Sequence, residues 1–460
     1  MKARATLGGI LVAGTAVLVG QYSADAIPGG RQDGGVAGAI GADVIVGALP
    51  DIAKFGTVNG VTAYSVATTS CNIGDEILLW YANNNQHPVI AQNMYRLKDG
   101  RFEQIGMSWL KHGFCALQQT LCGPCTPAGG GCPPLLGIGC SDPYSSGLNG
   151  QQTNLGPRSQ VNAATGYFPY PWSAPPAPQT LGRRIQVANN DLNPSMNPGA
   201  SFYVEGMYVS AQDSEAGNSG NNASYRKFNV GSISNGGYNL ATTGPTYQQK
   251  PAIYAWQAAM QSVELVTIDV PDDGRYIVGY NVTENGDGTY RYEYAIYNHT
   301  SDLCGASLTV PCPVDANPTN VGFKDIHHHS GEPYDNTDWI VTVSKDAITW
   351  AVDATYAEDP NANALRWSTL YNFWFDSDLP PVTGDVTLGL FKNAGSVVFS
   401  GAIPGGEPPI PGDLDGNGVV NGADLAAVLA YWGTPQGDIS GDGTTDGTDL
   451  ATLLANWTWN

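Results

Sequence analysis

The chain has 460 residues and a formal charge of −21. That length would hold about three average domains, fewer if they are all-β, and the acidity argues against partners such as nucleic-acid phosphate or an anionic lipid surface. Only 13% of residues are charged, and 58 Gly, 31 Pro and 23 Tyr give the composition of a loop-rich β protein.

Residues 1–26 read as an export signal. Lys2 and Arg4 form a charged start, an apolar run follows, and Ala24-Asp25-Ala26 supplies an A-x-A cleavage site. The apolar run is short for a membrane span, so the mature protein is expected to be secreted, extracellular or at the cell surface, with no membrane-spanning segment. Eight cysteines agree with export, because an even count outside the cytoplasm reads as disulfides. Cys304 and Cys312 stand apart and are expected to pair. Cys122-Gly-Pro-Cys125 lies in a Gly/Pro-rich stretch without a βαβ context, so it reads as part of a disulfide-stapled loop, not as a redox pair or zinc knuckle.

Residues 27–40 are a Gly-rich leader. Strand-like runs follow at 43–49, 61–68 and 76–81, then a hairpin of 92–97 and 102–109 around the turn pair Asp99-Gly100. Residues 113–182 form a long irregular stretch, stapled in its first part by cysteines. Strands resume at 184–187 and 202–209, and 210–224 reads as a polar surface loop. Residues 252–260 are the one helix candidate in the middle of the chain. Beyond it, strands are expected at 263–270, 276–282, 290–297, 339–344, 347–352, 365–375, 385–391 and 396–400. Regular short strands with Gly/Pro turns predict a mainly β fold of one or two antiparallel β-sandwich domains with long disulfide-stapled loops. The division is a β-rich, Cys-rich region over 41–250, a β-sandwich region over 251–400, a Pro/Gly linker over 401–412 and a small C-terminal α-helical module over 413–460.

That module repeats one twelve-residue pattern. A calcium loop needs hard oxygen ligands at positions 1, 3, 5, 9 and 12, a backbone carbonyl at 7 and glycine at 6. The first copy supplies Asp413, Asp415, Asn417, the carbonyl of Val419, Asn421 and Asp424, with Gly418 at the turn. The second supplies Asp438, Ser440, Asp442, the carbonyl of Thr444, Asp446 and Asp449, with Gly443 at the turn. Each loop runs into a short helix with apolar residues at i, i+3, i+4 and i+7, so the two helices are expected to bury against each other. Ser440 is a weaker ligand than Asp, and Thr445 takes the usually apolar position 8.

The tail resembles a type I dockerin, a duplicated module of half EF-hands. The resemblance covers 412–460 and rests on Asp at position 12 and on a loop followed by a single helix. It implies two bound calcium ions as cofactor and a cohesin-like or other surface protein as partner. The positions that carry partner choice in that family read Gly422-Ala423, Gly447-Thr448, Leu429-Ala430 and Leu454-Ala455, and Lys and Arg are absent from the tail. The body is similar to uncharacterised secreted bacterial proteins with such tails, through Ser108-Trp-Leu-Lys-His112-Gly and through residues 330–339, a likeness that brings no activity with it.

Other chemistry in the body is sparser. His327, His329 and Glu332, with His112 as a further imidazole, form a second metal candidate set against a polar corner whose histidines bond backbone. Glycosidic hydrolysis needs two carboxylates facing across a cleft, and Glu205, Glu264, Glu293, Glu332 and Asp338 are available, so no catalytic residue is assigned. Tyr290, Tyr292, Tyr294, Trp367, Tyr371 and Trp374 suit either sugar stacking or the core. The leading expectation is a secreted non-catalytic component of an extracellular or cell-surface assembly, attached through the calcium-dependent tail. The alternative is a dockerin-borne polysaccharide-degrading enzyme, an O-glycosyl hydrolase, or a carbohydrate-binding protein.

Overall fold

The computed structural model describes residues 21–23, 39–405 and 410–459. The export signal and the leader therefore lie outside the described residues, apart from strand Gln21–Ser23, which runs parallel to Ser396–Val398, and residues 39–40. Strands dominate, as the turn-punctuated sequence predicts.

In the second half two sheets face each other. One carries, in order, Glu264–Asp269, Arg275–Glu284, Tyr290–Asn298, Thr369–Ser377 and Thr319–Lys324. The other carries Ser396–Pro404, Pro381–Leu390, Gly305–Pro311, Ala347–Ala351 and Ile340–Val343. Tyr292, Tyr294, Ile296, Phe373 and Phe375 from the first meet Leu308, Val310, Ile348, Trp350, Leu388 and Phe399 from the second in one dry core. Side chains of a strand alternate between faces, so Ala295 and Tyr297 point the other way. They enter a second cluster with Tyr95, Phe102, Tyr203 and Tyr225.

Those four residues come from the opposite face of a sheet that runs Leu110–His112, Val89–Lys98, Ser201–Val209, Ala223–Ser234 and Gly237–Tyr247, with Arg101–Met107 also paired to Val89–Lys98. Its other face packs Ile90, Met94, Val204, Tyr208, Phe228 and Tyr238 against Val44, Val46, Tyr64, Val66, Ile185 and Val187 from two smaller sheets. The middle cluster is closed by Trp256, fully buried on helix Tyr254–Ala259, whose indole donates to Gly100 O at 2.9 Å. Residue 250 falls between the last strand of the first large sheet and this helix.

The hairpin at Asp99-Gly100 forms with both residues at positive φ. A second hairpin, Ala223–Ser234 with Gly237–Tyr247, was not foreseen, although Asn235 and Gly236 at φ 49° and 82° carry the same turn signal. Its strands are polar and largely exposed, so no period-2 apolar pattern marks them. The expected surface loop over 210–224 is a short helix, Ala211–Glu215, followed by the start of that hairpin. It is held inward because buried Asp213 accepts from Val44 N at 2.9 Å and from Asn222 Nδ2 at 2.8 Å. Residues 401–404, read as the start of the linker, extend strand Ser396–Pro404 against Pro381–Leu390; 406–409 lie outside the described residues.

Three disulfides, Cys71–Cys122, Cys115–Cys132 and Cys125–Cys140, staple the loop region. The two cysteines of the C-x-x-C stretch thus bond to different partners. Cys304 and Cys312 do not pair: both are buried free thiols. The extended strand Gly305–Pro311 lies between them, and at ~3.3 Å per residue it holds the two cysteines about 25 Å apart.

Candidate metal centre

In the tail, helices Gly422–Ala430 and Gly447–Ala455 pack through Val420, Val428 and Leu453, with Leu425, Ile439, Leu450 and Trp457 around them. The two halves exchange equivalent bonds. Thr458 N, after the second helix, donates to Val420 O at 2.9 Å, and Gly433 N, after the first, donates to Thr445 O at 2.9 Å. Val420 and Thr445 both hold position 8. Thr445 is fully buried, and its hydroxyl accepts from Gly437 N, so the polar residue is satisfied where an apolar one was expected.

Each loop wraps its backbone N–H groups around its own carboxylates. Asp413 accepts from Asn417 N and Gly418 N, and Asp438 accepts from Gly441 N, Asp442 N and Gly443 N. Asp424 accepts from Leu414 N, Asp415 N and Asn421 N; Asp449 accepts from Ile439 N, Ser440 N and Asp446 N. Gly418 and Gly443, at φ 84° and 95°, make the turn that L side chains resist. Positions 9 and 12 also form reciprocal capping boxes, Asn421 with Asp424 and Asp446 with Asp449. Burial raises the Asp424 and Asp449 carboxyls, but the backbone donors outweigh it and hold both below the usual carboxylate range. Both therefore stay anionic at neutral pH. One carboxylate oxygen from each of Asp413, Asp415 and Asp424 lies within 4.8 Å of the others. With oxygen donors only and no basic side chain in the tail, the set fits a hard cation such as calcium.

The histidine-rich stretch is arranged differently from the expectation. His329 places Nε2 2.9 Å from Met107 O and Nδ1 2.8 Å from Ser330 Oγ, and burial holds it neutral by lowering its pKa to about 4. Glu332 accepts from the backbone N–H groups of Arg158 and Ser159. The polar atoms of His329 and Glu332 are engaged by backbone groups and by Ser330 Oγ, so the structure does not bring His327, His329 and Glu332 together. His327 instead turns to Asp338, from the same polar stretch, and to Asp325, which lies just before it. His112 pairs with His87, Nδ1 to Nε2 at 2.9 Å, and stacks on Trp172 at 3.7 Å; burial lowers His87 to about 4 and His112 to about 2. His328 is buried edge-on to Tyr334, with no hydrogen-bond partner on either ring nitrogen.

Two of the carboxylates considered for hydrolysis are tied into the fold. Glu205, fully buried, accepts from Asn93 Nδ2, Tyr95 OH, Tyr297 OH and Ala252 N between the two large sheets. Glu293 is gripped by Arg101 at 2.6 and 2.7 Å. Glu264 and Asp338 are exposed. Buried Arg158, which no motif marks, donates to Ser108 O, Ser368 O, Gln92 O and Asn93 Oδ1 and so ties a surface loop to the same interior. Of the candidate stacking aromatics, Tyr292, Tyr294, Trp367 and Tyr371 are buried core, Tyr290 packs against it, and Trp374 carries the guanidinium of Arg101 at 3.5 Å.

No family description matches the chain, and no curated protein sequence does. Among solved structures, it is similar to a GH20 exo-beta-N-acetylglucosaminidase from Vibrio harveyi in complex with N-acetylglucosamine. That match has 12% identity and a TM-score of 0.17, and it covers 29% of this chain and 18% of that one. It is also similar to the BSP domain of a biofilm associated protein, at 10% identity and a TM-score of 0.17 over 92% of this chain and 68% of that one. The chain thus spans less than a fifth of the length of the first, and at these scores neither likeness bears on fold or function.

Proposed function

We propose that this protein is an exported, non-catalytic component of an extracellular or cell-surface assembly, attached through a calcium-folded, dockerin-like tail. The observation that carries the reading is the convergence of Asp413, Asp415 and Asp424 in a loop whose backbone already points its N–H groups at those oxygens. Seven Asp without a basic partner repel one another until a cation arrives, so calcium would fold the tail as well as occupy it. The three disulfides agree with an oxidising compartment. The partner would be a cohesin-like or other surface protein that reads the folded helix pair.

The test is calorimetry of the full chain in calcium and in chelator. A separate low-temperature transition of the tail should vanish in chelator and in the double variant Asp413→Ala, Asp438→Ala. A transition that survives both would remove calcium, and with it the proposed attachment.

A further inference from the structure

Residues 325–339 cross between the two facing sheets of the second half, from the end of strand Thr319–Lys324 to the start of Ile340–Val343. One side chain clamps both ends of this crossing. Asn363 accepts from Tyr371 OH at 2.7 Å through Oδ1, and through Nδ2 it donates to Asp325 Oδ2 at 2.5 Å and to Thr337 O at 2.9 Å. Its own backbone oxygen accepts from the indole of buried Trp339 at 2.6 Å. The arrangement fixes Asp325 at one end and Asp338, between Thr337 and Trp339, at the other. His327 projects between them.

The result is a compact mixed donor set. One ligand atom each from Asp325, His327 and Asp338 lies within 4.8 Å of the others. Donors bound to one ion at ~2.1 Å stand about 3.0–3.4 Å apart, so side-chain rotations that draw the three atoms in by about an ångström would close a coordination sphere. An independent observation points the same way. The Asp325 side chain is only 4% exposed; its Oδ2 accepts from Asn363 Nδ2, and its Oδ1 faces His327 Nε2 at 3.7 Å. Among the described residues, no Lys or Arg forms an ion pair with Asp325 or with Asp338. A nearly buried carboxylate beside a second carboxylate, with no Lys or Arg paired to either, is stabilised as an anion by a cation placed between them.

We propose that Asp325, His327 and Asp338 bind one first-row divalent ion, manganese or zinc, at a site separate from the tail. Carboxylate oxygens suit manganese and imidazole suits zinc, whereas calcium takes six to eight oxygens and does not use a ring nitrogen. Three protein ligands leave positions open, and His327, 69% exposed on its side chain, places the ion at the surface, where water or a ligand's oxygen completes the shell. Asn363 is the positioning residue that orients Asp325 from behind the metal.

The test is isothermal titration of the full chain with Zn²⁺ and, separately, Mn²⁺, in millimolar calcium so that the tail is already occupied. The expected result is one equivalent of one of these ions, still bound by the Asp413→Ala, Asp438→Ala variant, which separates this site from the tail. His327→Ala and Asp338→Asn, both at exposed positions and checked for unchanged circular dichroism, should each weaken binding at least tenfold. Three outcomes would each overturn the assignment: no saturable binding of either ion, binding unchanged in His327→Ala, or loss in His327→Ala with full binding retained in Asp338→Asn. The last would reduce the site to a lone surface imidazole.

Discussion

Leu453→Ala tests how the tail would divide its stability between its core and the proposed calcium. Leu453 is fully buried and is one of three such side chains holding the two helices together. Truncating a buried Leu costs ~2.7–5 kcal/mol, less where the site can relax, so about 3 kcal/mol suits so small a core. A module of this size has only a few kcal/mol to lose. If folding takes up two ions, each decade of free calcium adds roughly 2.7 kcal/mol in all. The lost 3 kcal/mol should therefore raise the calcium midpoint of folding about tenfold. Hydrogen exchange of Gly422–Ala430 and Gly447–Ala455, followed in the full chain across a calcium series, reads that midpoint. Leu454→Ala, one residue on and 52% exposed, is the control and should move the midpoint by no more than about 1.5-fold, the equivalent of ~0.5 kcal/mol. Equal shifts in the two variants, or helices equally protected in chelator, would refute the reasoning.

Two further predictions concern the body. Cys115–Cys132 closes 17 residues, for which loop-closure entropy gives about 3 kcal/mol, so Cys115→Ser with Cys132→Ser should lower the body's melting temperature in calorimetry while leaving the calcium response of the tail unchanged. Asp142 is buried with Oδ1 accepting from Leu117 N and Oδ2 unpaired, and burial pushes its pKa up to about 7. A carboxyl raised on folding contributes its stability below the ordinary value of ~3.9 and loses it as pH rises through the folded value. Asp142→Asn keeps the Leu117 bond without a charge. Its stability relative to the native chain, measured by denaturant unfolding, should thus climb by up to ~1.4 kcal/mol per pH unit between pH 4 and 7 and then level off; a pH-independent difference would show that Asp142 is not held protonated.

Much of the local structure could be read from residues alone, and the reason is range. The Asp99-Gly100 hairpin and the two twelve-residue loops are determined by neighbours a few positions apart, so turn chemistry and ligand spacing suffice. The same rule applied at Asn235-Gly236 would have located the second hairpin, but its exposed, polar strands carry no apolar alternation to draw attention to it. The Cys304–Cys312 pairing failed because closeness in sequence was taken for closeness in space, and an extended strand holds them apart.

What the sequence determined by itself is therefore the mainly β class, the Cys-rich loop region and the repeated acid loops of the tail, all patterns with a short period. Only the tertiary structure decided which faces of the two large sheets meet around Tyr95, Trp256 and Tyr297. Only it sent His329 and Glu332 to backbone partners, and only it set His327 beside Asp325 and Asp338. Those choices depend on Asn363, Met107 and Arg158, residues up to 222 positions away in the chain, and no local spacing records contacts of that length.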